Sequence, residues 1–193
     1  MIRSEFLMHV KGAGAASADI RGPRSISASG YQNQMQPLAI VTDAGPFGAV
    51  QDWQAMLDRH ACLFSELLPG CAVGFVPREG SGIHPGKHVA GVMEAGGAGE
   101  MLTWAMEGER MRAGVGAYAG FQEARVDLLF VADADGLAAM RGAVGGEALS
   151  VIKRQIRAGT IMFFVMKTKY QLQDAGYEDF LDSLGLAFLG ACR

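Results

Sequence analysis

An excess of basic charge is missing from this chain. Its 193 residues hold 17 Lys and Arg against 20 Asp and Glu, a net charge of −3. A general nucleic-acid binder carries a basic patch and usually a domain pI above about 9, so no nucleic-acid partner is expected. Long apolar runs are missing too. No stretch nears the ~18 consecutive apolar residues of a membrane span, so no membrane partner is expected. Proline is sparse, at 6, and the 27 glycines have no three-residue period, which excludes collagen. Cysteine is rare and odd in number, as Cys62, Cys71 and Cys192. That count speaks against a disulfide framework and for free thiols in a reducing compartment. Phe6-Leu7-Met8, with His9 and Lys11 close behind, is too short for a secretory core. A cytoplasmic location follows as an expectation.

What is present is apolar content. Half of the residues are hydrophobic, enough to bury a core and to exclude a disordered chain. Residues 1–36 carry a net +2, have few apolar side chains and show no sustained period. They read as a disordered tail, with Met35 as an alternative start, and residues 37–193 as a single globular domain.

Within that domain, PLAIVT at 37–42 reads as a buried strand. Residues 50–68 read as a helix, because Trp53, Met56, Leu57, His60, Phe64 and Leu67 recur at spacings of three and four. His60 lies on that apolar face and is read as a core histidine. Strands are expected at 71–76, 88–93, 126–132 and 160–166, with 114–120 a strand or turn and 186–189 a last strand. Helices are expected at 100–112, from Asp133 to about 142, at 147–158 with Gly159 as its stop, and at 173–184. The pattern implies an α/β (or α+β) fold, a mixed sheet of about five or six strands with helices packed on it.

Four features bear on chemistry. The loop Arg78 to His88 places Gly80, Gly82 and Gly86 beside Arg78, His84, Lys87 and His88. Glycines after a strand let successive amides converge on an anion, and the basic groups add charge. The loop is therefore the candidate ligand site. It is not a Walker A loop: Ser81 stands where the first glycine belongs, and His88 replaces the Mg²⁺-binding hydroxyl. Cys71, His84 and His88 have part of a zinc-finger spacing, but Cys62 is too far from Cys71 and the glycines and Pro85 oppose the required helix. No metal and no cofactor are expected.

The run Phe130-Val131-Ala132-Asp133-Ala134-Asp135-Gly136 ends a strand with two carboxylates. Such a pair can hold Mg²⁺ or act as nucleophile and acid. It resembles the first motif of the haloacid-dehalogenase-like phosphatases, and departs from it at Leu137, where that family has Thr or Val. The local alternative is a helix N-cap. Asp133 and Asp135 are thus the candidate catalytic residues. Finally, among 11 methionines, Met93, Met101, Met106 and Met111 cluster and suit either a core or an adaptable surface. Lys153, Arg154 and Arg157, like Asp174, Glu178, Asp179 and Asp182, read as solvated helix faces.

Three functions remain. The first is a small binding or regulatory domain that recognises an anionic small ligand or a protein partner. The second is a small enzyme acting on a phosphorylated or carboxylated substrate through the strand-end aspartates. The third is a structural or assembly subunit. Oligomeric state stays open.

Overall fold

The structure is a computed structural model, and it describes residues 45–86 and 96–186. The expected tail at 1–36, the strands at 37–42 and 88–93, Lys87, His88, Met93 and Cys192 lie outside these residues, as does the strand expected at 186–189 apart from Leu186. Helix α1 (Val50–Arg59) leads through a 3-10 turn (Ala61–Phe64) to β1 (Ala72–Pro77), and β2 (Gly96–Glu107) and β3 (Arg110–Gly120) form a hairpin. After β4 (Leu128–Ala132) come α2 (Ala134–Ala143), α3 (Ala148–Ala158), β5 (Ile161–Val165), α4 (Lys169–Asp174) and α5 (Glu178–Ser183).

The five strands form one mixed sheet in the order β3-β2-β1-β4-β5. Only β1 and β4 run parallel; the other neighbours are antiparallel. The expected mixed sheet with packed helices is present, as an α+β arrangement. Position in the sheet explains composition. Interior strand β4, between β1 and β5, is buried along its whole length and is continuously apolar as LLFVA. Strand β3, at an edge, buries few residues.

Alternation along the strands sorts side chains onto two faces. Val73, Phe75, Leu102, Trp104 and Phe130 point to the helical side, where they meet Trp53, Met140, Ile152 and Phe180. Phe75 stacks on Phe130 with ring centroids 4.9 Å apart, and Trp104 lies 4.4 Å from Phe75. The opposite face carries a smaller cluster of Val76, Leu129, Val131 and Tyr118, with Ile83, Ala124 and Val126 from the loops.

Three expected elements differ. The helix expected at 100–112 is instead the β2–β3 hairpin. Its stripe of Met101, Trp104, Ala105 and Met111 mixes residues from two faces; the operative pattern is the alternation of buried Leu102, Trp104 and Met106. Gly108, with φ 63°, makes the tight turn between Glu107 and Arg110. The helix at 50–68 stops at Arg59, and its remainder is a 3-10 turn followed by irregular chain, with Leu68 54% exposed. The helix at 173–184 is two short helices parted at Gly176, where φ is 81°. By contrast, α3 ends at a left-handed Gly159, as its sequence suggests.

Candidate functional site

The parallel pair β1 and β4 brings two sequence candidates together. Arg78 follows the end of β1 and Asp133 follows the end of β4, and the Arg78 Nη1 lies 3.4 Å from the Asp133 Oδ2. The same guanidinium donates through Nη2 to the carbonyls of Thr160 (3.2 Å) and Gly159 (3.3 Å). Asp133 is the N-cap of α2, its Oδ1 accepting from the Gly136 N–H at 2.9 Å. Both carboxylate oxygens are therefore engaged, one by the helix and one by Arg78. Asp135, in the first turn of α2, is exposed. The corner ties three chain segments together, and it does not present a free carboxylate pair.

The loop beyond Arg78 has the backbone shape its glycines allow, with φ of 79° at Gly80, 71° at Gly82 and 78° at Gly86. Ser81 is only 1% exposed. Its hydroxyl donates to the Arg78 carbonyl (2.8 Å) and accepts from the Ile83 N–H (3.1 Å), which seats Ile83 on the second face of the sheet. His84 and Gly86 are exposed. Among the described residues no group of three His, Cys, Asp or Glu side chains is placed to hold a metal ion. No helix among them is long and apolar enough to cross a membrane.

A concavity lies elsewhere, between α1, the 3-10 turn and the β2–β3 turn. Its volume is about 470 Å³. Leu57, Phe64, Met106 and Met111 make an apolar floor, and Asp58, Glu109 and Arg110 stand at its rim. Arg110 grips Asp58 through two bonds, Nε to Oδ1 at 3.0 Å and Nη2 to Oδ2 at 2.6 Å. Those bonds from Arg110, and a third from Gln54, hold the Asp58 carboxyl below its ordinary value. The floor draws on residues about fifty positions apart. The sequence marks Leu57 and Phe64 as part of one apolar helix face and Met106 and Met111 as part of the methionine cluster, but nothing in it joins the two pairs.

A second polar cluster was not legible in sequence. At the far end of the sheet, Asp127 Oδ2 accepts from the Tyr177 hydroxyl (2.7 Å) and from the Ala72 N–H (3.0 Å), while Lys167 Nζ lies 3.7 Å from Oδ1. Cys71 Sγ is 3.7 Å from the Ala175 carbonyl. These groups adjoin a cavity of about 270 Å³. Burial first, and the hydrogen bond to anionic Asp127 second, push the Tyr177 phenol above its ordinary range. Burial, then the charge of Asp127, raise the Cys71 thiol. On the other face, burial pushes Tyr118 up to about 12.

These shifts have one sign. Each group keeps its proton to higher pH when folded, so the unfolded chain releases protons first as pH rises. Their contribution is whole below the unfolded values, 9.0 for Cys71 and 10.0 for the tyrosines, and is lost above them. Stability measured by urea unfolding is expected to fall between about pH 9 and 11, less steeply in Tyr177→Phe. Equal slopes in the two proteins would remove Tyr177 from this account.

No protein-family model matches the chain, and no curated protein matches it in sequence. A solution structure of a conserved hypothetical protein from Thermus thermophilus, described as a possible sterol carrier protein, is similar at 15% identity. The match covers 72% of this chain and 85% of that one, with a TM-score of 0.34. A score that low supports no argument about fold or ligand.

Proposed function

We propose that the chain is a small ligand-binding domain whose ligand has an apolar body and an anionic group. The observation that carries this reading is the cavity of about 470 Å³ with its apolar floor and with Arg110 at its rim. Small-molecule sites typically measure roughly 300–1,000 Å³ and combine apolar walls with a few polar groups. Arg110 is the anchor for the anion. Its present partner Asp58 is a surface group, and an exposed ion pair contributes little net stability, so a ligand carboxylate competes with it on near-equal terms. The strand-end aspartates support catalysis less well, because both oxygens of Asp133 are already bonded.

The test is a titration with octanoate, octanol and octylammonium, followed by amide NMR shifts. Octanoate is expected to bind about tenfold tighter than octanol, the scale of one partly exposed charge-assisted hydrogen bond. The amides of Leu57, Phe64, Met106 and Met111 should move. Arg110→Ala should erase the preference for octanoate, and Ala61→Phe, which fills the cavity from a lining position, should abolish binding of both. Octylammonium binding as tightly as octanoate, or no movement of the lining amides, would overturn the reading.

A further inference from the structure

Among the described residues strand β3 is an outer strand of the sheet, and its edge away from β2 has two unlike halves. The β2–β3 register pairs Glu107 with Arg110, Thr103 with Gly114 and Met101 with Gly116 across a two-residue turn. In such a hairpin the even-numbered residues of β3 exchange bonds with β2, and the odd-numbered residues turn their N–H and C=O outward. The first half of this edge is already plugged. The Gln54 side chain of α1 donates to the Met111 carbonyl (3.1 Å) and accepts from the Ala113 N–H (3.0 Å), imitating a neighbouring strand. Among the described residues nothing pairs with the outward backbone of Val115 or Ala117, and residues 114–117 are all exposed. Natural sheets protect such an edge with lysine, proline or a bulge. The run RMRAGVGAYAG has neither of those residues, and its register with β2 is regular from Arg110 to Tyr118, shifting only beyond it, between Gly99 and Gly96.

We propose that this half-edge pairs with a second copy of itself, antiparallel about a two-fold axis at Ala117. The register follows from the chemistry of the strand. Ala117 then faces Ala117, and Val115 faces Ala119, all small enough for close approach. Tyr118 of each copy, its ring packed over Gly97 of its own chain, lies across from Gly116 of the other, whose missing side chain leaves room for close approach. Charge selects the same register. Arg112 is exposed and shares the face of Tyr118 by alternation. Glu123 is exposed in the turn that follows the end of β3 at Gly120. The two-fold axis brings Arg112 of one copy to the Gln122-Glu123 turn of the other, twice. Opposite charges across a strand pair favour the register, and a one-residue slip would part them. The interface is isologous, so it closes as a dimer and not a fibre.

The experiment is light scattering on the full chain across a concentration series, with native-state hydrogen exchange. A dimer is expected at roughly 100 μM, with the Val115 and Ala117 amides protected more at high concentration than at low. Arg112→Glu and Glu123→Arg should each raise the dissociation constant about tenfold or more, and the double swap should return it to near the starting value. Ala117→Pro removes an outward N–H and none that bonds β2, so it should give a folded monomer. A thermal unfolding curve checks that it is folded. A chain monomeric at every concentration overturns the proposal, whether the Val115 amide is open or is protected by some other segment. A dimer untouched by the single charge reversals or by Ala117→Pro overturns this interface.

Discussion

A Gly176→Ala chain is expected to unfold about 6–12 °C below the parent, the scale of a ~3 kcal/mol loss in a domain of this size. Two costs combine at this position. Gly176 has φ 81°, a left-handed conformation that an L side chain adopts only under strain. A Cβ there would also fall against the backbone carbonyl of Glu66, which has no rotamer with which to move aside. The junction is held on both sides. The Leu68 N–H donates to the Ala175 carbonyl, and the Tyr177 N–H donates to the Leu172 carbonyl. The control is Gly142→Ala. Gly142 lies in α2 with open space around a Cβ, so alanine there should add about 0.5–1 kcal/mol through helix propensity. Calorimetry on the two variants should give opposite signs. A Gly176→Ala midpoint within about 2 °C of the parent would show that the turn relaxes freely.

The second large effect belongs to Asp127. Asp127→Ala leaves the Ala72 N–H without its acceptor and the buried Tyr177 hydroxyl with only its longer, 3.3 Å bond to the Ala72 carbonyl. Orphaning the Ala72 N–H costs about 1–3 kcal/mol and losing the shorter Tyr177 bond about 1 kcal/mol, so a loss of roughly 2–4 kcal/mol is expected. Lys167 adds little, being 46% exposed in its side chain. Tyr177→Phe removes only the hydroxyl and leaves Asp127 bonded to Ala72, so it should cost about 1 kcal/mol. The double variant should cost less than the two singles together, by about 1 kcal/mol, because both singles lose the same Asp127–Tyr177 bond. Urea unfolding of all four proteins decides it. Additive losses, or a Tyr177→Phe loss larger than that of Asp127→Ala, would show that the cluster is not the tie described here.

The contrast between well and poorly anticipated elements follows the range of the interactions that form them. Helix α3 was legible because Leu149, Ile152 and Ile156 repeat at helical spacing and Gly159 ends it within the same dozen residues. The Asp133 cap was legible because its bond reaches only three residues on, to Gly136. Strand β4 announced itself as an unbroken apolar run. Residues 100–112 were ambiguous because Met101, Trp104 and Met111 satisfy a helical period while Leu102, Trp104 and Met106 satisfy a strand period. Burial of the second set against the helices settled the matter. The split at Gly176 likewise depends on Glu66, a residue far away in the chain.

The same division separates the candidate sites. The strand-end corner was approached from sequence because Arg78 and Asp133 each follow an apolar strand, yet their ion pair exists only because β1 and β4 lie side by side. The Asp127–Tyr177 bond spans fifty residues, and the cavity floor joins α1 to the β2–β3 turn. Caps, stops and apolar periods are written in neighbouring residues, since backbone bonds and side-chain spacing act over a turn or a strand. Which charges meet, which carboxylates are already spent and which edge stays bare depend on how distant segments close on one another, and that closure minimises exposed apolar surface over the whole chain at once.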